Sequence, residues 1–149
     1  MNPIIRPGTK EDIAAVHALI VELAVFEREP DAVSNTIEMM LEDGFGANPV
    51  YGFLVAEVDG HILGTSIYYY RYSTWKGKRL YLEDLIVTET SRGMGLGKLL
   101  FEGTVRIARE QRCTGMMWQV LDWNEPAIEF YKKYNARFDA GWINCHLDL

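Results

Sequence analysis

The sequence predicts an α+β domain built on one mixed sheet, and three observations carry that expectation. Strand-like and helix-like segments alternate along the whole chain; Asp59-Gly60 separates two strand-like runs; and a strand, a glycine-rich loop, a helix and a further strand follow one another in the middle. Together they give about six or seven mostly antiparallel strands and about four helices in α+β order.

The chain has 149 residues, the size of one compact domain spanning 1–149. Its 48% hydrophobic and 24% charged residues match an ordinary globular protein. No apolar run approaches the ~20 residues of a bilayer span, and "MNPIIRPGTKED" lacks the order of a signal peptide. A cytoplasmic protein away from the membrane is the expectation. The formal net charge of -6 argues against nucleic acid, whose phosphates need a basic face, and suits a small cationic molecule. Cys113 and Cys145 form no ligand array and no disulfide framework, so no metal is expected. His17, His61 and His146 lie in no nucleophile motif.

Element by element, "IIRP" opens a short strand stopped by Pro7 and Gly8. Thr9 caps a helix in which Ile13, Val16, Leu19, Ile20 and Leu23 recur at helical spacing. "NTIEMMLEDG" is a second helix, ending at Gly44. "YGFLVAEV" and "HILGTSIYYYRY" form an antiparallel hairpin about Asp59-Gly60, and "RLYLEDLIV" adds a third strand. The helix after the glycines places Leu96, Leu99, Leu100 and Ile107 on one face. "GMMWQVL" reads as a strand, "NEPAIEFYKKYN" as a helix capped by Asn124 with Pro126 in its first turn, and "AGWINCHLDL" as a last strand.

The stretch "SRGMGLGKLL" carries chemistry. A helix N-terminus offers unpaired N–H groups and partial positive charge, and glycine lets an anion approach them. The dinucleotide pattern GxGxxG fails, because Lys98 or Leu100 stands at its last position. The nucleotide pattern GxxxxGK[ST] fails at Arg92 and Leu99. What remains is the run Arg92-Gly93-Met94-Gly95-Leu96-Gly97, between a strand and a helix.

That run resembles the acetyl-CoA pyrophosphate loop of the GNAT N-acetyltransferases. The resemblance extends over nearly the whole chain through "LIVELAVFE", "LEDGFG" with Tyr51, "YLEDLIV", "RGMGLG" and "WNEPAIEFYKK", and narrows to the spermidine/spermine N1-acetyltransferase-like group. It implies a GNAT fold that opens between "YLEDLIV" and "GMMWQVL". It also implies direct acetyl transfer from acetyl-CoA, without a metal, to a primary amine of a small polyamine, diamine or lysine-like amino acid, in a protein that forms homodimers. A peptide N-acetyltransferase and a non-catalytic acyl-CoA sensor are the alternatives.

An amine with a pKa of ~10.4 arrives protonated, so the reaction needs a base, and the leaving thiolate needs an acid. Strict strand alternation sets Glu83 with Tyr81, Leu85 and Val87, and sends Asp84 the other way with Leu82 and Ile86. On that reading the adjacent carboxylates are no pair, and Glu83 is the base. Tyr131 shares the stripe of Ala127 and Ile128, and the resemblance makes it the general acid. The resemblance further assigns to the cofactor Leu85, Ile86 and Val87, the loop from Arg92 through Gly93, Met94, Gly95, Leu96 and Gly97 to Lys98, and Asn124, Glu125, Pro126, Ala127 and Tyr131. To the acceptor it assigns Phe26, Glu27, Trp75, Glu83, Met117, Trp118 and Gln119. The sequence departs from the polyamine enzymes at Ser73 and Thr74, in the short "VDGHILG" and in its tail, which puts spermidine and spermine in doubt.

Overall fold

A computed structural model describes residues 2–149, which form two compact units, the first ending at Trp118 and the second running Gln119–Leu149. In the first unit a five-stranded sheet has the order β1 (Ile4–Pro7), β2 (Gly52–Val58), β3 (His61–Ser73), β4 (Gly77–Val87) and β5 (Met116–Met117). The first four strands are antiparallel to their neighbours, and β5 runs parallel to β4. Asp59 (φ 50) and Gly60 (φ 81) turn the β2–β3 hairpin in the left-handed conformations that a two-residue hairpin of this kind requires.

Two helices cover one face of the sheet. After a 3-10 turn at Lys10–Asp12, α1 (Ile13–Phe26) and α2 (Ile37–Phe45) bury Ile13, Val16 and Met40 against Phe53, Val55 and Ile67. The opposite face takes α3 (Leu96–Glu110), whose Leu96 and Leu100 pack on Leu54, Ala56 and Val58. Burying apolar side chains on both faces is what gives β2 its nearly continuous apolar sequence.

The entry to α1 is fixed by charge. Arg6 on β1 donates to Asp12 through Nη1 at 2.7 Å and Nη2 at 3.0 Å, and to Glu57 on β2 at 2.8 Å. Asp12 in turn accepts from the Thr9 N–H at 2.8 Å, reaching back as the capping pattern requires. These bonds hold the Asp12 carboxyl down at about 2.

Three expectations need correction. Gly44 lies inside α2, which continues to Phe45; a Cβ there would stand 2.6 Å from the Tyr51 ring, so the glycine serves close packing. The expected strand in "GMMWQVL" is reduced to Met116–Met117, and "AGWINCHLDL" forms no strand. The tail leaves Trp142 (76%) and Ile143 (88%) exposed. Alternating residues make a strand only where a neighbour takes up their backbone groups, and the described residues supply none there. The sheet therefore has five strands, below the number expected, while the four helices appear.

In the second unit Asn124 caps α4 (Glu125–Lys132), its Oδ1 accepting from the Ala127 N–H at 3.4 Å. Phe130 stands edge-on to Tyr131 with ring centroids 5.4 Å apart, and Gln119 Nε2 donates to Asn144 at 2.9 Å.

Candidate active site

β4 organises the site. Its upper neighbour β5 pairs only at Leu80–Met116 and Tyr81–Met117, so beyond Tyr81 the strand pairs β3 alone. The backbone of Leu82–Val87 that faces away from β3 is thereby left open within this sheet, as the expected splay requires.

The same strand contains a bulge. Ile67 pairs with Asp84 and Tyr68 with Leu82, so one step on β3 spans two on β4 and Glu83 is the extra residue. The bulge corrects the alternation inferred from sequence. Leu85 and Val87 pack toward α3, while Glu83 and Asp84 both line one cavity of about 250 Å³ on the α1/α2 face. Ile20, Asn35, Met40, Asp43, Tyr51, Ile67 and Tyr69 complete most of its wall, and no Lys, Arg or His lines it.

Asp84 is the more enclosed of the two carboxylates; Glu83 is exposed. Burial, with the charges of Glu83 and Glu27 adding to it, pushes the Asp84 carboxyl up to about 7. Burial also raises Glu27, which ends α1, and the phenol of Tyr69. Asp84 had no role in the sequence reading, because a bulge leaves no signature in residue type.

After β4 the chain makes a 3-10 turn at Glu89–Ser91 and reaches the glycine loop. Glu22 on α1 fixes that turn, accepting from Thr88 Oγ1 and from the Glu89 N–H, each at 2.9 Å. Gly93 (φ 85) and Gly95 (φ 79) adopt the left-handed conformation, with nothing within 4 Å of where a Cβ would be. Leu99 N–H closes the first turn of α3 onto the Gly95 carbonyl, so the amides of Leu96, Gly97 and Lys98 have no acceptor within the helix. Met94 and Lys98 are exposed on the loop. Arg92 packs its guanidinium over the Phe26 ring at 5.1 Å and donates to the Val87 carbonyl at 3.3 Å. An open cradle of amides flanked by two cations fits an anion such as a diphosphate.

Several other nominated residues of the first unit are not part of the cavity's lining. Trp75 is 83% exposed in the β3–β4 turn, and from Gly77 to Glu83 the strand rises about 20 Å. Phe26, Glu27 and Met117 do not line the cavity. Met117 Sδ meets Arg71 Nη1, and Trp118 stands edge-on to Phe101 at 5.4 Å. Tyr131 is buried in the second unit. A larger concavity of about 350 Å³, bounded by Lys10, Glu38, Leu41, Glu42, Phe45 and Gly46, contains none of the nominated residues. Among the described residues no group of three or more His, Cys, Asp or Glu could hold a metal ion, and no helix is long and apolar enough to cross a membrane.

Comparisons with known proteins agree with this fold. The model of the Acetyltransferase (GNAT) family matches residues 14–136. The chain is 37% identical over 142 residues to a thialysine N-epsilon-acetyltransferase of Bos taurus, covering 90% of this chain and 84% of that protein. It is 35% identical over 148 residues to the Homo sapiens spermidine/spermine N(1)-acetyltransferase-like protein 1, covering 93% of this chain and 21% of that one. Among solved structures, an aminoglycoside acetyltransferase from an uncultured soil metagenomic sample superposes with a TM-score of 0.79 at 16% identity, over 99% of this chain and 96% of that one.

Proposed function

Because the chain belongs to the GNAT acetyltransferase family and is an N-acetyltransferase, we propose that it transfers acetyl from acetyl-CoA to a primary amine of a small polyamine, diamine or lysine-like amino acid. One observation carries this reading: β4 presents an unpaired backbone edge and, through its bulge, an acid-lined cavity free of basic side chains.

In this reading acetyl-CoA supplies the thioester. The amides opening α3, with Gly93 and Gly95 clearing the approach and Arg92 and Lys98 adding charge, hold its pyrophosphate. The free edge at Leu85, Ile86 and Val87 pairs with the pantetheine arm, and Asn124, Glu125, Pro126 and Ala127 also belong to the cofactor-binding residues of this reading. The cavity attracts the acceptor as an ammonium ion, since Asp43, Glu83 and Asp84 line it. Glu83 serves as base, directly or through one water, because only the neutral amine has a lone pair for attack. Tyr131 holds the proton that the departing thiolate takes, a phenol of ~10 being protonated at neutral pH. A cytoplasmic homodimer belongs to the same reading, and sedimentation velocity tests its stoichiometry.

The deciding experiment follows CoASH release from acetyl-CoA with polyamines, diamines, lysine and thialysine. Turnover with at least one of them is expected. Turnover on peptides alone, or on no amine while acetyl-CoA still binds, overturns the reading.

A further inference from the structure

The reaction as read so far uses one carboxylate of the cavity, yet the bulge delivers two. Glu83 and Asp84 are consecutive residues whose side chains line the same wall, one exposed and one half-buried. Asp84 has no hydrogen bond or ion pair among those the structure shows, in contrast to Asp12, which is held by Arg6 and Thr9. A half-buried carboxylate with like charges around it is a costly arrangement to keep for packing alone.

We propose that the substrate's proton is taken by Glu83 and Asp84 acting as a pair, in which Asp84 is the member that keeps it. The proposal rests on the acetyl-transfer reading and deepens it. An N–H bond of the ammonium breaks, an O–H bond forms on the pair, and the nitrogen lone pair is released for attack. Exposed Glu83 meets the arriving cation; the proton then settles on Asp84, where it removes the repulsion between two neighbouring carboxylates. After transfer the pair returns that proton to solvent.

The groups surrounding Asp84 agree with this assignment. Glu27 stands at the end of α1, Asp43 on α2, Tyr51 ahead of β2, Tyr69 on β3, and Tyr81 and Glu83 on β4. The charges acting on Asp84 come from Glu83 and Glu27, and both raise it. Arg71, the cation on β3, is engaged with the Tyr81 ring at 5.9 Å and with Met117.

The test is kcat/KM against pH, with acetyl-CoA and an accepted amine, for the wild type, Glu83→Gln and Asp84→Asn. The wild type should lose activity below a limb near pH 7, separate from the limb of the free amine at ~10.4. Glu83→Gln should keep the neutral limb but shift it to lower pH, since one of the charges that raise Asp84 is gone. Asp84→Asn should lose that limb and at least about tenfold in kcat. The opposite pattern, a limb abolished by Glu83→Gln and kept by Asp84→Asn, overturns the proposal, as does a limb at the same pH in all three proteins. If Asp84→Asn fails to fold, the direction of the Glu83→Gln shift decides alone. If no amine is acetylated, the acetyl-transfer reading fails by itself, and carboxyl carbon NMR still judges the pair. Asp84 titrating near neutrality and dropping in Glu83→Gln supports the pair; ordinary titration in both proteins refutes it.

Discussion

Glu83 and Asp84, neighbours in the chain, line the same cavity because a bulge opposite the Ile67–Tyr68 step cancels the alternation that would send them to opposite faces of the sheet. The strand thus gains two carboxylates at one place without a second element having to supply one. The arrangement costs stability, and that cost can be measured.

Asp84 is raised from its unfolded value of 3.8 to about 7. The folded protein therefore holds a proton that the unfolded chain has released, so this stability is fully present below pH 3.8 and is lost as pH rises through about 7. Asp84→Asn is expected to raise stability by on the order of 2 kcal/mol at pH 8, with a gain that shrinks as pH falls toward 4. Thermal melts of both proteins across that range check the sign. An equal gain at every pH contradicts it.

Asp12 behaves in the opposite sense. Its carboxyl is lowered from 3.8 to about 2 by Arg6 and Thr9, so its contribution is present above pH 3.8 and lost as pH falls toward 2. Asp12→Asn leaves Glu57 as the one carboxylate paired with Arg6 among the described residues and should destabilise the protein by roughly 2–3 kcal/mol at pH 7, with little difference at pH 2. Urea denaturation at the two pH values measures this.

Gly95→Asp tests the loop. Asp tolerates a left-handed backbone and is a favoured helix cap, and the position has open space around it, so folding should survive. An anion placed at the amides of α3 should lower acetyl-CoA affinity by at least about 100-fold. Calorimetry with CoA provides the measurement; wild-type affinity would remove the loop from the site.

Tyr131→Phe removes one hydroxyl from a buried side chain on α4. If the phenol supplies the thiolate's proton, kcat should fall about 100-fold or more while acetyl-CoA affinity stays close to that of the wild type. Parallel losses in kcat and affinity would point to a packing role instead.

The acceptor class follows from charge. The lining of the cavity offers Asp43, Glu83 and Asp84 and no cation that would receive a carboxylate. A short diamine is therefore expected to exceed lysine in kcat/KM by about tenfold or more, the factor of a single charge-assisted contact. Competition between cadaverine and lysine, which differ by that carboxylate, settles the order.

Much of this was legible in the residues. Glycines at 93 and 95, the Asp59-Gly60 turn, Thr9 and Asn124 as caps, and the apolar spacing of α1 and α3 are local signals, each fixed by backbone sterics or by hydrogen bonds within a few residues. They determined the order of the elements and the anion cradle. The lengths of β5 and of the expected tail strand were not legible, since a strand exists only when another strand accepts its backbone groups.

What the sequence by itself determined is the GNAT framework and the order of the strand, glycine loop and helix within it. What only the tertiary structure decided is which side chains of that strand face the same space. Register is a property of two strands, and the extra residue at Glu83 is visible only against the pairing of β3. That pairing brought Asp84 into the cavity, placed it among like charges and left Trp75 at the far end of the hairpin.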